Sequence, residues 1–176
     1  SSVISADASK IEGGSSHTII LKSNGTLWSW GRNNYGQLGD GTTGNKSLPT
    51  QIGTESRWAS IAAGYYHTVG LKVYGTLWAW GYNVYGQLGD GTTTQQPSPI
   101  QIGIDNQWVA VSSGSYHNVA LKADGTLWAW GYNNNGQLGD GTILKRYYPQ
   151  RVFPPGPDND GDGKTDYAVW RSSTGT

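Results

Sequence analysis

Apolar and polar positions alternate along this chain in short runs that glycine interrupts. The stretch WASIAA, residues 58–63, alternates until Gly64. HTVGLK, residues 67–72, runs into Val73-Tyr74-Gly75, and TLWAWG, residues 76–81, follows at once. A period of two over a handful of residues marks a half-buried strand, because successive side chains point to opposite sides of a sheet. Gly75 at the tip of this pair, like Asn24-Gly25 and Asp124-Gly125 in the matching places, readily takes the positive φ of a tight hairpin. A fourth short strand is expected at residues 99–102, with Pro99 at its entrance, where no ladder donor is lost.

The pattern then returns at a spacing of fifty residues: GTLWSWGRNNYGQLGDGT from Gly25, GTLWAWGYNVYGQLGDGT from Gly75 and GTLWAWGYNNNGQLGDGT from Gly125. His17, His67 and His117 align, as do Trp30, Trp80 and Trp130, and Asp40, Asp90 and Asp140. Trp58 and Trp108 align too, with Ala8 in their place in the first copy. Four short antiparallel strands per unit is the arithmetic of a propeller blade. The expected fold is therefore all-β, with three propeller-type blades that form an incomplete ring. The units are read as residues 1–53, 54–103 and 104–153. A Pro-rich linker, an Asp-rich loop and one more strand are read within 154–176.

Composition supports this. Met and Cys are absent and there is one Phe, so nine Trp and eleven Tyr must supply much of the apolar area. The 27 Gly suit a fold made of turns. Twelve Lys or Arg balance twelve Asp or Glu, which argues against a nucleic-acid partner, and no run of apolar residues is long enough to span a membrane. Without cysteine there is no disulfide, thiolate site or cysteine nucleophile. The chain opens on Ser1 rather than Met and reads as a processed or excised segment, so the lack of a signal peptide does not argue against secretion.

The candidate chemistry dissolves largely into repetition. Trp28 and Trp30 share a strand face and could stack on a sugar, but recurrence in every unit points to packing between blades. Each His begins a strand three residues after a Gly (GSSH, GYYH, GSYH), so tying down the preceding turn is a simpler role than metal ligation. Asp40, Asp90 and Asp140 sit in Gly-Asp-Gly, where an Asx-turn is expected. Residues 39–44 (GDGTTG) formally spell a dinucleotide fingerprint, but the later copies lose the last Gly and no helix is expected after it. No nucleophile elbow, phosphate loop or zinc-protease motif occurs, and no enzyme is expected. Asn33-Asn34-Tyr35, Val84-Tyr85 and Asn134-Asn135 vary within otherwise constant loops and are candidates for specificity. Asn24-Gly25-Thr26 and Asn45-Lys46-Ser47 fit the glycosylation acceptor pattern, the first overlapping a hairpin turn.

GYYHTVGLKVYGTLWAWGYNVYGQLGDGT and its two sisters resemble repeats of the regulator of chromosome condensation family, over roughly residues 8–153. The resemblance implies seven-bladed propellers in complete members, which three units cannot close. It also implies kin that act as exchange factors for a small GTPase or bind chromatin, through loops and arms outside the repeat consensus.

The tail carries a separate signal. Residues 158–166 spell D-x-D-x-D-G-x-x-D, in which alternate carboxylates can surround a hard cation, Gly163 permits a sharp turn and Lys164 can offer its carbonyl. Val169 stands where an EF-hand needs Glu. The segment DNDGDGKTDYAVWRSSTGT is instead similar to the calcium-binding start of FG-GAP or VCBS-type repeats. That resemblance implies Asp158, Asp160, Asp162 and Asp166 as side-chain ligands of Ca²⁺, the alternative being a solvated acidic linker. The strand YAVWR either pairs with a neighbouring sheet edge or opens a further domain.

The expectation is a non-enzymatic extracellular protein for structure or interaction. It would assemble with copies of itself, as a filament in one form, or with the remaining blades of a longer chain. The alternative is a module that binds a protein or glycan. Calcium is expected to protect the tail: chelation should speed proteolysis after residue 153 on a time-course gel, and equal digestion with and without chelator would refute the calcium reading.

Overall fold

The computed structural model describes residues 7–152. The Asp158, Asp160, Asp162, Lys164 and Asp166 loop, like the YAVWR strand, lies outside the described residues. Twelve strands form three four-stranded antiparallel sheets, each made of four consecutive strands in chain order. The first sheet holds β1 (Ala8–Gly13), β2 (His17–Lys22), β3 (Leu27–Gly31) and β4 (Lys46–Ile52). The second holds β5 (Trp58–Ala63), β6 (His67–Lys72), β7 (Leu77–Gly81) and β8 (Gln96–Gln101). The third holds β9 (Trp108–Ser113), β10 (His117–Lys122), β11 (Leu127–Gly131) and β12 (Arg146–Arg151). These are blades of the expected kind, and among the described residues there is no helix.

Local chemistry accounts for the register. At the β2–β3 tip, Gly25 adopts φ 78° and its N–H donates to the Lys22 carbonyl at 2.9 Å, while Lys22 N–H donates to the Thr26 carbonyl at 3.0 Å. The same bonds recur at Gly75 and Gly125, so one turn sets three hairpins. The fourth strand of the middle blade begins three residues earlier than expected, with Pro97 and Pro99 inside it. It tolerates both because β8 is the outer edge of its sheet and pairs on one side only.

The core lies between sheets. Ile19, Leu21, Leu27 and Ile52 of the first blade meet Trp58, Ile61 and Trp80 of the second. Val69, Leu71, Leu77 and Ile102 of the second meet Trp108, Val111 and Trp130 of the third. Each blade therefore completes its neighbour, as in other repeat architectures. Trp80 and Trp130 are fully buried, whereas Trp30, at the same place in the first blade, has no preceding blade among the described residues and is only half-buried. Replacing Trp80 by Ala should cost about 3–5 kcal/mol of unfolding free energy. Trp30→Ala should cost about 1 kcal/mol or less. Urea denaturation of the 176-residue chain checks this, and equal losses would contradict the junction role.

The polar side of each junction converges on one main-chain acceptor. The Gln37 carbonyl accepts from Trp80 Nε1 at 3.1 Å and from Thr68 Oγ1 at 3.0 Å. The Gln87 carbonyl accepts from Trp130 Nε1 at 3.0 Å and from Asn118 Nδ2 at 2.6 Å. The histidines close these networks, His17 Nε2 lying 3.2 Å from Thr68 Oγ1 and His67 Nε2 2.9 Å from Asn118 Oδ1. Since the Thr68 hydroxyl proton is spent on Gln37 and Asn118 Oδ1 can only accept, both imidazoles carry their proton on Nε2. The expected tie to the preceding turn exists, but the main chain makes it: Gly14 and Gly64 donate to the His17 and His67 carbonyls at 2.9 Å. The rings reach across to the next blade.

Burial pushes His17 and His67 down to about 4. Their Nδ1 atoms are buried without a partner, so a second proton would have nothing to donate to. Because the folded values lie below the unfolded value near 6.5, the unfolded chain binds more protons between pH 6.5 and 4. Stability should fall as pH drops through that window. His67→Gln should flatten the fall in a pH series of thermal melts, and an unchanged profile would overturn this assignment.

Candidate interaction surfaces

The junctions show what a blade face looks like when covered, and two faces have no cover among the described residues. On the third blade, Ala110, Val111, Val119, Leu121 and Leu127 line an open groove of 200 Å³, with no fourth sheet over it among the described residues. Ala129, Leu138 and Val152 form a small core beneath. On the first blade, Trp30 is half-buried and Ile11 is 67% exposed. Among the described residues the first blade's face thus lacks the acceptor that Trp80 and Trp130 find, and the third blade's lacks the donors that Gln37 and Gln87 receive.

A second surface runs across the turn and loop ends. Tyr35 packs on Tyr66 and Tyr82 at centroid distances of 5.1 and 4.7 Å, and Tyr85 packs on Tyr116 and Tyr132 at 5.2 and 5.0 Å. These triplets are copies of one arrangement, one per junction. Tyr65 bridges them, 4.6 Å from Tyr66 and 5.6 Å from Tyr116. The ladder ends in cations: Arg32 lies 5.1 Å over Tyr66, and Lys145 lies 5.0 Å over Tyr85. The segments that supply the ladder, 14–16, 31–36, 64–66, 81–86, 114–116 and 131–136, contain no Asp or Glu. Burial and the neighbouring phenols raise Tyr82 and Tyr116 above the usual phenol value, so these rings stay neutral hydrogen-bonding groups.

The residues singled out from sequence divide between frame and surface. The Trp pairs split: Trp80 and Trp130 are core, while Trp78 and Trp128 are half-buried under Lys72 and Lys122, whose Nζ atoms lie 3.4 and 3.8 Å from the ring centroids. Asp40 closes the expected Asx-turn, its Oδ1 accepting from Thr42 N–H at 2.9 Å, and Asp90 and Asp140 repeat it at 3.0 Å. Of the variable loop residues, Asn33 is fully buried. Its Oδ1 accepts from Leu38 N–H, and its Nδ2 donates to the carbonyls of Thr42 and Gly44. Asn33 therefore belongs to the frame, and Asn34, Val84 and Asn134 to the exposed surface. The ladder was missed because its rings come from separate positions of the repeat, three that recur and Tyr65 alone in a fourth. The signal was present in the columns Ser16/Tyr66/Tyr116, Arg32/Tyr82/Tyr132 and Tyr35/Tyr85/Asn135.

The regulator of chromosome condensation (RCC1) repeat model matches residues 24–71, 74–121 and 124–160, and a second RCC1 repeat model matches 8–37, 58–87 and 108–137. The chain belongs to the RCC1 repeat family. This RCC1-type chain is 50% identical over 36 residues to the zebrafish (Danio rerio) Protein RCC2 homolog, covering 20% of this chain and 7% of that protein. It is 43% identical over 47 residues to mouse (Mus musculus) Protein RCC2, covering 27% and 9%. Its RCC1 blades superpose on Prp20p from Saccharomyces cerevisiae with a TM-score of 0.76 at 24% identity, over 84% of this chain and 39% of that one. They superpose on human WBSCR16 with a TM-score of 0.74 at 26% identity, over 85% and 40%. The chain thus spans about two fifths of the structures that it matches.

Proposed function

We propose that this RCC1-type chain is a non-enzymatic protein-interaction module whose end faces each take another repeat of the same kind. That repeat comes from a second copy or from the remaining blades of a longer chain. The observation that carries the reading is the junction itself, seen twice with an indole and the side chain after a histidine donating to the same glutamine carbonyl. The third blade's open groove corresponds to faces that the structure covers with Trp58 and Trp108, and Trp30 corresponds to rings that the structure buries. A head-to-tail contact of this sort makes a closed ring or, where the rotation does not close, a filament. The reading goes with an extracellular setting, in which modules bind calcium at about 10⁻⁴–10⁻³ M.

Sedimentation velocity on the 176-residue chain tests it. The weight-average mass should rise with concentration, and Ala110→Arg, on an exposed position of the open groove, should hold the chain monomeric. Monomers at every concentration would end the self-assembly reading.

The tyrosine ladder favours a second reading, a docking face for a protein partner. Tyr and Arg are enriched at protein interfaces, and the two terminal cations with no carboxylate between them suit an acidic segment. The rings tilt at 41–83° to one another, so no flat platform for a row of stacked sugars is present. Prp20p is described by its binding to Gsp1p and histones. That precedent supports protein partners as a class, and exchange on a GTPase ranks behind both readings.

A further inference from the structure

The first junction holds a cavity of 290 Å³, lined by Trp58, Trp78, Lys72, Glu55, Asp40 and Ser98. It is separate from the tyrosine ladder and from both end faces. The two indoles meet at 75° with centroids 6.1 Å apart, which makes an aromatic corner. Lys72 Nζ sits 3.4 Å from the centroid of Trp78 and 5.1 Å from that of Trp58, and pairs with Glu55 Oε2 at 2.5 Å. Asp40 faces the same space with Oδ2 paired to Lys46 at 3.3 Å. Two carboxylates and two ammonium groups are thus already matched, which leaves no net charge to attract an ion of either sign. A cation would meet Lys72 over the indole, and an anion would meet Asp40 and Glu55.

A neutral ligand that presents C–H groups on one side and hydroxyls on the other fits this set. Trp78, half-buried, offers the ring surface that Lys72 leaves uncovered, Trp58 backs it from the core with 5% of its surface exposed, the Glu55 carboxylate accepts and Ser98 donates. The volume lies at the lower end of the range for small-molecule pockets, about 300–1,000 Å³. That is room for one ring rather than a chain. The geometry points to a single pyranose residue as the ligand of the Trp58–Trp78 corner.

Two of the residues that line this cavity differ at the next junction, Glu55, which aligns with Asp105, and Ser98. Ser98 aligns with Tyr148, whose ring lies against Gly91 so closely that a Cβ there would fall 2.0 Å from the phenol oxygen. Ser98 leaves the matching space over Gly41 open, its Oγ standing 3.4 Å from the place of a Cβ. The fold therefore tolerates a tyrosine at this position, and Ser98→Tyr should close the first cavity without harming the blade.

Saturation-transfer NMR and tryptophan fluorescence, with the methyl glycosides of glucose, galactose and mannose and with N-acetylglucosamine as probes, test this on the 176-residue chain. At least one probe should receive saturation and bind with a dissociation constant on the order of 1 mM. Ser98→Tyr should weaken it at least about tenfold with an unchanged unfolding midpoint. Glu55→Gln, on a largely exposed side chain, should weaken it about tenfold through loss of a charge-assisted bond. Absence of transfer to all four probes, or transfer that both variants leave intact, overturns the assignment. Neither result bears on self-assembly, which is read from mass alone.

Discussion

The structure depends on one main-chain oxygen per junction. The carbonyls of Gln37 and Gln87 each accept two hydrogen bonds from the following blade, one from an indole and one from the side chain after a histidine. Backbone acceptors buried away from water must be paired, and a tryptophan Nε1 buried in a core must find an acceptor. Setting the two needs against each other fixes how far one blade slides along the next. Gly39 and Gly89 are part of the same constraint. At Gly39, with φ 78°, a Cβ would fall 2.6 Å from Trp80 Nε1, so no larger residue leaves room for the indole.

That constraint explains why an electrically neutral, Met- and Cys-free chain can hold three small sheets together. Among the described residues only the third blade has a small cluster of its own, around Ala129, Leu138 and Val152, and a lone four-stranded sheet exposes both faces. The two larger apolar clusters fall between sheets, and the histidines stay neutral because the junction buries them. Outside the junction the chain is free to vary. The loop frame around Asn33, Asn83 and Asn133 recurs in all three blades, with the Leu38, Leu88 and Leu138 N–H groups each bound at 2.9 Å. The residues that differ therefore sit on a fixed support.

The parts legible in the sequence were those governed by local pattern. Alternation placed strands such as Trp58–Ala63 and His67–Lys72, and Gly25, Gly75 and Gly125 marked the hairpin tips, because both effects act within a few residues. The pairing of indole with Gln37 and Gln87 was not legible, because a peptide carbonyl carries no side-chain signature. The role of the histidine rings went astray for a similar reason. Proximity in sequence suggested the Gly14 turn, while the true partner, Thr68, is fifty-one positions away. Asn33 looked variable by association with Asn34 and Tyr35, yet burial shows that it is the most constrained member of that trio.

Repetition thus separates two kinds of tryptophan that look alike in the text of the chain. Trp80 and Trp130, the second of their pairs, are fixed by an acceptor and a glycine, and any ligand would have to break a blade junction to reach them. The first Trp is fixed only at its edge, by a bond from Nε1 to Thr26, Thr76 or Thr126, and its face is left to a lysine. Where the neighbouring position is Tyr148 the space before it is taken up. Where it is Ser98 a cavity remains, with the ion pairs that neutralise it already in place. A repeat fold acquires individual sites in this way. The junction repeats its frame, and a small residue at its rim leaves that frame open to solvent.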